Sequence, residues 1–249
     1  MKRKREKKIV RPGFGRSDLH VPRKHRAAAP AAYLPTRWVA FASWKNYGAD
    51  PITLFQASWP VPPAPAGNPP SSFFLFSGLQ VTDPTEPPNP ANQIVQPVLQ
   101  WDGANGGWSV ALWTAGVPGA GGTPQEKMPI KTGTVLTGRI TNTNVGSYQC
   151  DFFVGDISGA VALATNTFTG LPLMTSCVIA LEAINVIRSS DYPYGPGNRT
   201  PVVFSNIVVQ TGAGNVVVPH WVVQAIPTPG IGENCGAPPN GNINIGFRS

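Results

Sequence analysis

The sequence predicts an all-β protein, two antiparallel sheets packed as a sandwich, on three observations. Its 249 residues include 28 prolines and 27 glycines, and breakers at that density leave no long apolar pattern of period 3.6 for a helix. Between them lie roughly eleven short runs rich in β-branched and aromatic residues, spaced by turns as in a sandwich rather than in βαβ units. Seven tryptophans and eleven phenylalanines supply the large apolar surface that an ordered core needs.

Residues 1–35 read as a basic, then Ala/Pro-rich tail, and residues 36–249 as one sandwich domain, a length that a single all-β domain accommodates. WVAFASW is the first expected strand and ITLFQASW (52–59) the second. PVPPAPAGNPP then leaves the sheet in an extended, polyproline-like form, because its prolines lack donors. SSFFLFSGLQ (71–80) is an aromatic strand, and a proline-rich loop (83–92) delivers the chain to residues 93–101. These pair with 108–113 as a hairpin across the turn Asp102-Gly103-Ala104-Asn105-Gly106-Gly107. Further strands are expected at 135–141, 148–154, 161–167, 177–188, 202–210 and 216–225, followed by a Gly- and Asn-rich C-terminal segment from Pro227. CVIALEAINVIR contains helix formers, but Val178, Ile179, Ile184, Val186 and Ile187 are β-branched, which decides for strand.

The net charge of +7 is divided unevenly. Residues 1–28 hold eleven Lys or Arg against Glu6 and Asp18, while the remainder holds eight basic and ten acidic residues. The tail thus carries +9 and the body −2; such an arm can contact polyanions through non-specific electrostatics, and KRKREKK reads equally as a vector remnant, a solubilising arm or a nuclear-import-like patch. No apolar h-region follows the charged start, so no signal peptide is evident, and no run is long enough to insert in a membrane. Cys150, Cys177 and Cys235 lack zinc spacing and leave one bridge or three thiols open. His20 and His25 fall in the tail and His220 in the last expected strand, so neither metal nor cofactor is expected. Asn198-Arg199-Thr200 fits the glycosylation pattern.

The central hairpin carries the candidate chemistry. Gln96, Val98 and Gln100 share one face of its first strand, and Val95, Pro97, Leu99 and Trp101 the other. In 177–188 the same parity sets Glu182 beside Ala180, Ile184 and Val186, a carboxylate on an apolar face whose burial is expected to raise its pKa. Trp101 and Trp108 flank the turn, and the loop 189–200, SSDYPYGPGNRT, brings Tyr192 and Tyr194 to follow the Glu182 strand.

In sequence order, several segments resemble the glutamic peptidases, which have a concanavalin A-like sandwich. NYG followed by ITLFQASWPVP is similar to the family's W-A-G and the strand ending T-F-T-V-P; NQIVQPVLQ sits where the family has A-I-L-Q-T-G. KTGTVLTGRI resembles its next strand entry, and SCVIALEAINV its C-x-x-x-A-E-W-I-V, together covering roughly residues 44–210. The resemblance implies an acid-active endopeptidase with Gln96 and Glu182 as catalytic dyad on neighbouring strands. Gln100, Trp101, Trp108, Tyr192 and Tyr194 would bind an extended peptide in a groove. Where the family reads W-Y-E-W-Y-P this chain reads WSVALWTAG, without the tyrosine and second acid. Two other readings accompany it: a groove of Trp101, Trp108 and glutamines that binds polysaccharide without cleavage, and an assembly protein with a polyanion-binding arm. Glycan cleavage is disfavoured, since it needs two carboxylates and the Glu182 face offers one.

Overall fold

The computed structural model describes residues 38–65, 72–85, 92–103, 106–116, 127–155, 157, 160–184, 201–226 and 233–247. The basic tail, Tyr192, Tyr194 and the Asn198-Arg199-Thr200 pattern lie outside the described residues.

Among the described residues fifteen strands form two antiparallel sheets. The first half of the chain gives β1 (Trp38–Lys45), β2 (Ile52–Pro60), β3 (Ser72–Gln80), β4 (Ile94–Asp102), β5 (Gly107–Ala115), β6 (Met128–Pro129) and β7 (Val135–Asn144). The second gives β8 (Ser147–Val154), β9 (Ala164–Phe168), β10 (Ser176–Ile184), β11 (Val202–Thr211), β12 (Asn215–Val217), β13 (Val222–Ala225), β14 (Glu233–Gly236) and β15 (Ile243–Phe247). One sheet runs β13-β1-β10-β3-β4-β5-β6, the other β14-β15-β11-β2-β7-β8-β9, with β12 paired to β11.

The main core lies between the sheets. Phe73, Leu75, Val95, Leu99, Ile179 and Leu181 from the seven-stranded sheet meet Phe55, Trp59, Leu136, Ile140, Phe152 and Phe204 from the other. Trp59 anchors it, stacked on Phe204 at 4.9 Å and tilted against Phe152 at 5.6 Å. A second apolar cluster, with Phe41, Phe74, Phe76, Val98, Trp113 and Ala180, comes from the seven-stranded sheet alone and marks its outer face. Both faces of β3 are therefore buried, and all nine of its residues are, which is why this stretch reads as a continuous apolar run.

The β4–β5 hairpin forms in the expected register, with Trp101 opposite Trp108 and Gln96 opposite Trp113. The Gly106 amide donates to the Asp102 carbonyl at 2.9 Å, and Gly106 takes φ 63°, a conformation that suits glycine. Pro97 occupies an interior strand although it has no N–H. The β3–β4 ladder jumps from Phe76↔Val98 to Leu79↔Val95, a gap on the side where the proline has no donor. Its ring points into the core against Gly138 of β7.

Two expectations are corrected. Residues 216–225 do not make one strand: Pro219 lies between β12, which pairs with β11, and β13, which pairs with β1 in the other sheet. The C-terminal segment is not merely loop, since β14 and β15 extend the eight-stranded sheet through Val202↔Ile245 and Cys235↔Ile245. Ile243 and Ile245 alternate inward from Gly- and Asn-rich surroundings, a pattern too short to stand out in sequence.

Candidate functional site

Glu182, Gln96 and Gln100 all lie on the outer face of the seven-stranded sheet. Their strands are not neighbours, as the sequence had suggested: β3 separates β10 from β4. Ladder register fixes the rest. Glu182 pairs with Trp38 on one side and Phe74 on the other, Phe74 pairs with Gln100, and Gln100 pairs with Ser109. One transverse row therefore reads Trp38, Glu182, Phe74, Gln100, Ser109. With strands about 4.8 Å apart, the Glu182 and Gln100 Cα atoms are about 10 Å apart, one on each flank of the Phe74 ring.

Gln96 belongs to a different row. The β3–β4 register carries it opposite Gly78, which pairs with Val178, so Gln96 is level with a residue four positions before Glu182. That is about 13 Å along the strands and about 10 Å across them. The ladder brings Gln100, not Gln96, level with Glu182.

Aromatic rings set the row's walls. Trp38 meets Phe76 edge-on at 5.5 Å and Phe41 at 5.8 Å. Glu182, Gln100 and Gln96 are 2%, 1% and 0% exposed, whereas Ser109 and Asp102 at the β4–β5 end are half-buried. Several buried polar atoms on this face have no hydrogen-bond partner: both amide atoms of Gln80 and of Gln96, Gln100 Oε1, Ser176 Oγ and Trp113 Nε1. Each such atom costs about 1–3 kcal/mol while it stays unmatched, so these side chains mark positions that water or a ligand completes; Nε1 of Trp59, Trp101 and Trp108 is likewise unmatched in the core between the sheets.

Trp101 and Trp108 are not on this face. They pack edge-to-face at 5.4 Å within the core between the sheets, because they have the parity opposite to Gln100. The aromatic platform expected for a polysaccharide is therefore turned inward. In their place Trp113, Phe74, Phe76, Gln80 and Ser176 join the glutamines. Parity within β5 separates Trp113 from Trp108, but assigning a parity to the outer face required the sheet order.

The eight-stranded sheet carries a polar cluster of another kind. Asp151, buried on β8, accepts from Arg139 Nη2 at 3.3 Å, Gln149 Nε2 at 3.1 Å and Thr165 Oγ1 at 2.9 Å. Its oxygens are matched, as in a structural network. All three cysteines are free thiols. Burial pushes Cys235 up to about 12 and Cys150 and Cys177 well above the ordinary thiol range, with the Asp151 charge adding to Cys150. Among the described residues no group of three or more His, Cys, Asp or Glu is placed to hold a metal ion. No described helix is long and apolar enough to cross a membrane.

Two packed antiparallel sheets of seven and eight strands, without helix among the described residues, define a concanavalin A-like, jelly-roll sandwich. Within that class the chain is distantly similar in structure to the glutamic peptidases. Scytalido-glutamic peptidase with a transition state analog inhibitor matches with TM-score 0.60 and 16% identity, over 85% of this chain and 98% of that one. The same peptidase with a peptide-based transition state analog gives 0.60 and 13% over the same shares. SCP-B, a member of the Eqolisin family of peptidases in complex with the tripeptide Ala-Ile-His, gives 0.55 and 14%, again over 85% and 98%. At these identities the likeness is one of fold. No family model matches the chain, and no curated protein matches it.

Proposed function

We propose that the protein is a glutamic-type endopeptidase that handles an extended peptide along the outer face of its seven-stranded sheet. The observation that carries this reading is the row Glu182–Phe74–Gln100, a carboxylate and a carboxamide at one level on a buried, aromatic-walled face. On this reading the attacking water and the scissile peptide bond lie over Phe74, between Cα atoms about 10 Å apart.

Ionised Glu182 takes a proton from that water as its oxygen attacks the carbonyl carbon. The Gln100 carboxamide N–H donates to the oxygen on which negative charge develops, which is worth more in a site closed to water than in solution. Protonated Glu182 then gives its proton to the leaving nitrogen as the C–N bond breaks, which restores the carboxylate. Gln96, the glutamine that the sequence resemblance pairs with Glu182, is level with Val178, four residues before Glu182, and on this reading holds another part of the substrate.

Denatured protein incubated with the purified chain from pH 2 to 7 tests this. Cleavage is expected to fall about 10²–10⁴-fold in Glu182→Gln and about 10²–10³-fold in Gln100→Ala, with both variants folded by circular dichroism. Absence of cleavage by the wild type at every pH refutes the reading, and so does a Glu182→Gln variant that cleaves as well as the wild type.

A further inference from the structure

We infer that Gln80 and Gln96, flanked by Ser176 and Trp113, form a subsite that grips the main chain of an extended peptide, whatever its side chains. This rests on the proposed peptide substrate but not on the Glu182 chemistry. The four residues make one oblique line across β10, β3, β4 and β5. Ser176 is the cross-strand partner of Gln80, Gln80 pairs with Ile94 two residues before Gln96, and Gln96 is the partner of Trp113. All four are 0% exposed, and six of their polar atoms have no partner: Ser176 Oγ, Oε1 and Nε2 of both glutamines, and Trp113 Nε1.

Chemistry and spacing select the ligand. A carboxamide offers one carbonyl acceptor and an N–H donor, the same pair that a peptide unit presents, so each glutamine matches one unit in both senses. Gln80 and Gln96 are diagonal neighbours, about 7 Å apart, and an extended chain repeats every two residues at about 6.7 Å. Consecutive same-side peptide units thus meet the two amides in turn. The hydroxyl and the indole N–H extend the line at its ends. All four side chains are neutral, which suits uncharged main chain and disfavours ions that bring their own desolvation cost.

The test is calorimetric titration of the full-length wild-type chain at pH 8 with an end-blocked, uncharged heptapeptide, its mass checked afterwards to show it intact. Saturable binding is expected, weakened at least tenfold by backbone N-methyl groups at two positions two residues apart. Gln80→Leu and Gln96→Leu are each expected to weaken binding at least tenfold while leaving the urea midpoint of the free protein unchanged or raised, since each removes unmatched buried atoms. Equal binding of methylated and unmethylated peptide, or no binding at all, overturns the inference. Leu variants with a clearly lowered midpoint also overturn it, because the amides are then already satisfied within the fold by buried water. Oligosaccharide binding lost in the same variants would reassign the line to a glycan. Peptide binding in a protein that cleaves nothing leaves the subsite standing and removes the proposed reaction; cleavage indifferent to both Leu variants removes the subsite alone.

Discussion

Replacing Gly138 by alanine tests how closely the two sheets approach behind the site. A Cβ built at Gly138 falls 2.5 Å from Pro97 Cγ, 3.1 Å from Pro97 Cβ and 3.0 Å from the Trp59 ring. Contacts under about 3.4 Å between carbons are repulsive, and neither neighbour is a flexible chain end. The pyrrolidine is fixed to the β4 backbone, and Trp59 is held by Phe152 and Phe204. The added methyl must therefore push β4 and β7 apart, an overpacking cost of about 1–3 kcal/mol. For a domain of this size that lowers Tm by about 2–4 °C per kcal/mol. Urea unfolding of Gly138→Ala should show a lower midpoint at unchanged slope. Pro97→Ala removes the offending Cγ, so the double variant should lose less than the two single losses added, with a coupling of at least 0.5 kcal/mol on the scale of contacting pairs. A Gly138→Ala midpoint equal to wild type, or strict additivity with Pro97→Ala, would refute the close-approach argument. Because Gln96 precedes Pro97 on the same strand, the single variant should also weaken peptide binding at the oblique line.

Asp151→Leu should destabilise by about 2–4 kcal/mol, read as the urea midpoint, because it strands the partly buried Arg139 guanidinium and two further donors; a loss under 0.5 kcal/mol would show that the network contributes nothing. For the thiols, folding raises Cys235 from 9.0 to about 12 and lifts Cys150 and Cys177 as well. Above pH 9 the unfolded chain therefore binds fewer protons than the folded one, so stability is complete below that pH and declines as pH rises towards 12. An unchanged urea midpoint between pH 8 and 10.5 would contradict these shifts. Neutral alkylating agents should accordingly leave Cys150 and Cys177 unmodified at pH 8 until the protein unfolds.

Much of this protein was legible in its residues. Breaker density and β-branched runs dictated the strands, and the strand cores from β1 to β5 fall where alternation and punctuation placed them. The β4–β5 hairpin followed from a Gly-rich turn between apolar runs. Local parity also put Gln96 and Gln100 on one face of β4, and Glu182 on a single face of β10, because side-chain direction in a strand depends on nothing beyond the strand. Three things required the tertiary structure. Strand order inserted β3 between the carboxylate and the glutamines, and register made Gln100 rather than Gln96 level with Glu182; both are long-range pairings that no local pattern encodes. Sheet stacking decided which parity faces the opposite sheet, which sent Trp101 and Trp108 inward and left Trp113 beside Gln96. The short strands β12 to β15 were hidden for a related reason. Their pairing is stabilised by neighbours distant in sequence, so runs of three to five residues form strands that their own composition would not sustain.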